Sequence, residues 1–302
     1  MRYLALALIL AACGGGAVSR TTLPAGGTPP AHDLAGAKSV APQSPAHATK
    51  LEARDPRVVD LDIIRITAHT NGPGGDPELT SVASADLFKQ ANEAVKAGRQ
   101  REAITTYRQL VAEFPDSQFA PVALFNIAAV YDAQGDLTAT ITTLEELVTR
   151  YPGARESVDG HLYIAALQAD HQQWTAAAAT LTAVLARSNL TFADRIEAFA
   201  RQGYVEIEQH QYDQADTSLS AAVAAWRSAP HIGDSYYIAM AHYYRGELMH
   251  KKFIEAPVRG GDDEMVADLD AKRVLAAKAY DRWRESLGFK QAYWATASGY
   301  QM

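Results

Sequence analysis

Small and large side chains recur along the middle of this chain with a period too long for any single helix or strand. Ala91, Ala128, Ala165 and Gly203 are small, Ala103, Thr140, Ala177 and Ala215 are small, and Tyr107, Leu144, Leu181 and Leu219 are large. The spacing is 37, 37 and then 38 residues. Gly98 returns as Gly135 and Pro115 as Pro152 on the same period. A repeat of this length holds one pair of helices. A small residue on each helix lets the two backbones approach, and the large residue four positions on fills the space between neighbouring pairs. Gly98 and Gly135 fall where the first helix must turn back, a place for a left-handed cap. Pro115 and Pro152 end the second helix. Each pair buries its apolar face only by stacking on the next, which predicts a superhelix with a concave face.

These residues resemble the tetratricopeptide repeat (TPR). With Ala91 at the eighth position of the motif, Gly98 is fifteenth, Ala103 twentieth, Tyr107 twenty-fourth and Pro115 thirty-second. The second repeat keeps Ala128, Tyr131, Gly135 and Pro152, while the third and fourth carry Gln172 and His210 at the glycine position and lack the closing proline. Four such repeats span residues 84–227. The resemblance implies an all-α fold, a TPR-type right-handed helical-pair solenoid. The stretch FPDSQFAP, Phe114 to Pro121, is similar to periplasmic TPR lipoproteins and envelope proteins of the BamD and CpoB type.

The N-terminus agrees with an envelope location. Met1-Arg2 is a short positive segment, and Tyr3 to Leu10 is an apolar run far below the ~20 residues needed to span a bilayer. Leu10-Ala11-Ala12-Cys13 looks like a bacterial lipobox. The resemblance implies that residues 1–12 are a lipoprotein signal peptide and that Cys13 becomes the acylated first residue. Gly14, where an aspartate would imply inner-membrane retention, implies a lipid-anchored protein of the outer membrane, most simply on its periplasmic side. Cys13 is the chain's one cysteine, so no internal disulfide is available. Residues 13–50 are rich in Gly, Ala, Pro, Ser and Thr and read as a disordered tether, holding the folded part roughly 30–40 Å from the membrane.

Residues 51–83 read as an extended arm. Arg57 to His69, RVVDLDIIRITAH, has the alternation of a strand and ends in the turn formers NGPGGDPE, Asn71 to Glu78. No second strand is evident, so the arm either lies against the helices or adds to another protein's sheet. Residues 228–302 read as a larger irregular helical pair, Asp234 to Phe253 and Asp263 to Leu287, with a terminal cap or half repeat.

Composition excludes some functions. Thirty-five acidic against 28 basic side chains give a net charge of -7, which repels polyphosphate and argues against nucleic-acid binding. No motif for catalysis, nucleotide or metal stands out, and the expectation is a non-enzymatic protein without cofactor or metal. Asp262, Asp263 and Glu264 suit the positive end of a helix dipole better than a cation site. His242 and His250 are more readily packed than ligating. In TPR proteins the first helix of each pair lines the groove, which implies Phe88, Asn92, Val95, Phe125, Asn126, Ala129 and Asp132 as a candidate partner surface. Phe88 and Phe125 read equally well as core between repeats. The lysines of a carboxylate clamp are missing, since Phe88 and Asp159 stand in their places. The expected function is a membrane-tethered scaffold that binds envelope proteins or peptides. Two other readings are strand addition within an envelope-spanning secretion or motility machine, and a ligand-binding or hydrolytic role for residues 234–302.

Overall fold

The computed structural model describes residues 63–70, 77–230 and 232–302. The expected signal peptide, Cys13, the expected tether and the arm up to residue 62 lie outside the described residues. Two strands, β1 (Ile64–Thr70) and β2 (Pro77–Ala83), come first. Four helix pairs follow: α1 (Ser84–Lys96) with α2 (Gln100–Glu113), α3 (Phe119–Ala133) with α4 (Leu137–Arg150), α5 (Arg155–Asp170) with α6 (Trp174–Leu185), and α7 (Phe192–Glu208) with α8 (Tyr212–Ser228). A longer pair, α9 (Tyr236–Glu255) and α10 (Asp262–Leu287), precedes α11 (Ala292–Gln301). The chain is an all-α, TPR-type helical-pair solenoid with one small hairpin at its front.

The small and large positions do what their volumes require. Ala91, Ala103, Tyr107, Ala128, Thr140, Leu144, Ala177, Leu181, Ala215 and Leu219 are all wholly buried. Each large residue contributes about 1.5–3 kcal/mol through that burial. Two large cores result among the described residues, one under α1 to α5 and one running from α5 to α11, with a small third cluster of Ile196, Val223 and Ile238.

The turn between the two helices of a pair is the same four times. Gly98 and Gly135 have φ of 72° and 75°, and Gln172 and His210 have φ of 58° and 60°. In each, the amide three residues past the helix donates to a carbonyl five residues back: Arg99 to Ala94, Asp136 to Tyr131, Gln173 to Gln168 and Gln211 to Glu206. This is the Schellman closure, and it demands a left-handed residue whatever the side chain.

The fifth pair obeys the same rule. Gly246 on α9 faces Trp283 on α10, with Ala279 buried one turn before the indole. The small-to-large separation is 16 residues in the first four pairs and 37 in this one. Both helices are lengthened by an insertion at their junction, so the pair reads as irregular while its crossing point is that of a repeat.

The arm corrects one expectation. Its strand is not solitary: β1 pairs antiparallel with β2 in register from Ile64 opposite Ala83 to Thr70 opposite Pro77. Arg65 seats the hairpin on the end of α2. Its Nη2 donates to the Glu113 carbonyl at 3.0 Å, where the helix dipole is negative, and its guanidinium lies 5.6 Å from the centre of the Phe114 ring.

Candidate partner-binding groove

The first helices α3, α5, α7 and α9 pack in succession and carry one side of the solenoid. At its front, several groove candidates are used for packing. Phe88 is buried and stacks on Phe119 with ring centres 5.0 Å apart, and Phe125 is buried against Tyr163 at 6.1 Å. Tyr107 takes up both asparagines. Its hydroxyl donates to Asn92 Oδ1, and Asn126 Nδ2 donates to that hydroxyl at 3.1 Å. Burial, only partly offset by Asn126, pushes the Tyr107 phenol up to about 12, so it stays neutral and can bridge the two amides. Phe88, Phe125 and Asn126 therefore belong to the core rather than to an open wall. Asn92, Val95, Ala129 and Asp132 are half-buried and remain at the surface of the first helices.

From Asp132 onward the side becomes polar and aromatic. Tyr163 on α5 donates to Asp132 Oδ2 at 2.5 Å. Arg201 on α7 is buried, yet its Nε donates to Glu197 Oε1 at 2.9 Å and its Nη2 to the Tyr237 hydroxyl at 2.9 Å. Burial opposes its charge, but Tyr237 and Glu197 outweigh that penalty and raise the guanidinium's affinity for its proton. The Arg201 carbon also sits 5.1 Å from the centre of the Tyr237 ring. Beside it, Tyr236 lies 5.0 Å from Tyr237 and 6.4 Å from Tyr293 of α11, ring centre to ring centre.

Asp170 is the anomaly in this wall. It is the last residue of α5, where the helix dipole disfavours a negative charge. Its Oδ1 is buried and accepts no hydrogen bond among the described residues. Burial raises its carboxyl to about 7; Arg201 opposes the shift and Asp132 reinforces it. Burial, followed by the Asp170 charge, likewise raises the Tyr293 phenol. A carboxylate placed against its own helix dipole, among phenols and with one buried oxygen lacking a donor, costs stability. Perturbed carboxyls of this kind occur at functional sites and in structural ion-pair networks alike.

Among the described residues no group of three or more His, Cys, Asp or Glu side chains is placed to hold a metal. His242 Nδ1 instead lies 2.8 Å from Glu285 Oε2, linking α9 to α10, and His250 packs edge-on to Trp283 at 5.7 Å. Asp262, Asp263 and Glu264 form the first turn of α10. Among the described residues no helix is long and apolar enough to cross a membrane.

Comparisons with known proteins bear on the first three helix pairs. Residues 80–191 match the family YfiO, described as an outer membrane lipoprotein. That span runs from β2 through α6 and stops at the N-cap of α7. No curated protein matches the chain. Similar solved structures include a double mutant of MamA RS-1, at 16% identity and TM-score 0.45 over 67% of this chain and 96% of that one. MamA from residue 41 onward of Desulfovibrio magneticus RS-1 gives 15% identity and TM-score 0.45 over 68% and 95%. A TPR repeats protein from Bacteroides fragilis gives 12% and 0.37 over 72% and 96%.

Proposed function

We propose that this protein is a non-catalytic scaffold, tethered to the outer membrane through acylated Cys13, that holds an envelope protein or peptide along the wall from Asn92 to Tyr293. The supporting observation is Asp170. A lysine or arginine side chain of a partner would pair with this half-buried carboxyl, with Asp132 adding negative charge and Tyr163, Tyr236 and Tyr293 offering ring faces to the cation. Arg201 opposes this field, but its guanidinium is held by Glu197 at 2.9 Å and by the Tyr237 hydroxyl and gives no hydrogen bond to Asp170 Oδ1. The match of residues 80–191 to an outer membrane lipoprotein family supports the tether and the envelope location.

The test is a photo-crosslinking residue at Ala129 in the full chain, activated in intact membranes, with and without Asp170→Asn. A discrete adduct that disappears in the variant, while helical circular dichroism is unchanged, supports the groove. No adduct, or the same adduct in both, ends the reading.

A second reading rests on the hairpin. Ile64 and Ile66 are 46% and 68% exposed on one face of β1, while Arg65 on the other face anchors it. An exposed apolar strand face on a seated hairpin suits packing or strand addition to a partner's sheet within an envelope-spanning machine. Ile66→Lys separates the two readings, since it removes the hairpin contact and leaves the groove intact.

A further inference from the structure

A cavity of about 570 Å³ opens between α8 and α10, with α9 as its floor. Ser220, Val223, Ala224 and Ser228 form one stripe of α8 along its wall, and three arginines close it, Arg227 from α8, Arg245 from α9 and Arg282 from α10. In a chain with a net charge of -7, three guanidiniums around one hollow need a reason. Only one of them has a carboxylate in hand: Arg282 Nη1 donates to both oxygens of Glu285, at 2.8 and 2.9 Å. Arg227 and Arg245 form no ion pair among the described residues. Asp216 on α8 and Glu285 on α10 are the acids whose fields reach Arg245, and Glu285 is shared with His242 as well.

The neighbours of Arg245 work against it. It is half-buried, and burial first, then Arg282, and more weakly Arg227, lower the proton affinity of a group that is ordinarily always charged. Like charges gathered by three separate helices around small side chains are costly unless an anion completes them. The small residues of α8 leave the space, and the planar guanidinium forks supply paired N–H donors that match the oxygens of a tetrahedral anion.

We infer that the cavity walled by Arg227, Arg245 and Arg282 binds a phosphate group, either as the free anion or as the headgroup of an anionic lipid. The site takes Arg227 and Arg282 from the second helices α8 and α10 and only Arg245 from α9, and shares no side chain with the proposed groove, so the two could be occupied together. A phosphate-bearing lipid there would orient the solenoid on the surface to which its N-terminus is tethered. The inference stands without the groove, because it uses none of the same side chains.

The test uses the full chain carrying Cys13→Ala, so that no acyl group contributes, beside Arg227→Gln and Arg245→Gln made in the same background. Inorganic phosphate is titrated calorimetrically at constant ionic strength. In parallel, flotation is measured with phosphatidylcholine vesicles with and without phosphatidic acid. Arg227 is exposed and its variant keeps the fold, and circular dichroism checks Arg245→Gln. Saturable phosphate binding that either substitution weakens by about tenfold or more, the scale of one lost charge-assisted hydrogen bond, supports the site with the free anion as ligand. Flotation that needs phosphatidic acid and falls in the same variants, without binding of free phosphate, supports it with lipid as the source. No binding of either probe, or binding that neither substitution changes, overturns it.

Discussion

Gly203 of α7 lies so close to Leu219 of α8 that a Cβ on the glycine would stand 2.4 Å from Leu219 Cγ and 3.3 Å from the Ala215 carbonyl oxygen. The first three pairs place an alanine at this position, so the fourth crosses more tightly than they do. Gly203→Ala would raise helix propensity by nearly 1 kcal/mol, yet the clash dominates. The expected outcome is a net loss of about 1–3 kcal/mol in denaturant unfolding, recovered in part when Leu219→Val is added. Unchanged stability in the single variant would mean that the pair has room to slide.

The opposite result is expected at Gln172. It holds φ 58° at the turn where the first two pairs use glycine. A side chain costs about 1 kcal/mol in the left-handed region, and glycine removes that cost while adding some unfolded-state entropy. Gln172→Gly should therefore stabilise the fold by about 0.5–1 kcal/mol, read as a higher melting temperature. His210 shares the geometry but also contacts the Tyr212 hydroxyl at 2.9 Å, so its gain should be smaller.

These two positions show why the solenoid was legible in the sequence. Volume at a fixed period is a direct record of helix crossing, and it survives at Gln172 and His210 even where the glycine is gone. Two features escaped it. Gly246, Ala279 and Trp283 carry the same small, small and large roles, but an insertion separates the first from the others and breaks the period. The second strand, PELTSVA, opens on a proline, has only Leu79 and Val82 as large apolar residues, and runs into α1 without a break. The groove was read at its front end, where Phe88 and Asn126 proved to be core. Its polar wall depends on contacts between repeats, such as Asp132 with Tyr163 and Arg201 with Tyr237, that form no local motif.

A joint between repeats is expected to be sensitive at Asp194. Its two oxygens accept from Arg155 of α5 at 2.6 and 2.8 Å, and one also accepts from the Thr191 amide to complete a capping box at the start of α7. Asp194→Ala removes a cap worth about 1 kcal/mol and charge-assisted bonds of similar size, for a loss of about 2 kcal/mol. Because Arg155 is about half exposed and also pairs with Asp159, Arg155→Ala should cost less than half as much. Equal losses from both variants would assign the effect to the ion pair alone.

Cys13→Ser should move the protein from the membrane fraction to the soluble fraction and abolish incorporation of labelled fatty acid. More than one acyl chain is needed for a durable anchor, at ~0.8 kcal/mol per buried methylene, so loss of the acylated thiol leaves too little apolar contact to hold the chain. Retention of the variant on membranes stripped of their protein partners would point to another attachment, and the arginine-walled cavity would then be the first place to look.

Asp170 is expected to link stability and partner binding with opposite signs. The folded carboxyl titrates at about 7 against an ordinary 3.8, so between those values the folded chain holds a proton that the unfolded chain has released. Unfolding then releases a proton, and stability falls as pH rises across that window, reaching its floor above pH 7. Asp170→Asn, which cannot ionise, should flatten this slope, leaving the variant more stable than wild type at about pH 8 and close to it at about pH 4. Of the groups facing the carboxyl, the Tyr163, Tyr236 and Tyr293 phenols are raised above their ordinary value of 10 and the Arg201 guanidinium is raised as well, so none of these four changes charge across this range. Capture of a cationic side chain needs the ionised form, so partner binding should strengthen over the same interval in which the free protein weakens. Thermal melts and the Ala129 adduct yield, measured together from about pH 5 to 8, should move in opposite directions in wild type and lose their pH dependence in Asp170→Asn. Adduct yield that follows the melting temperature instead would show that the carboxyl serves the fold and not the partner.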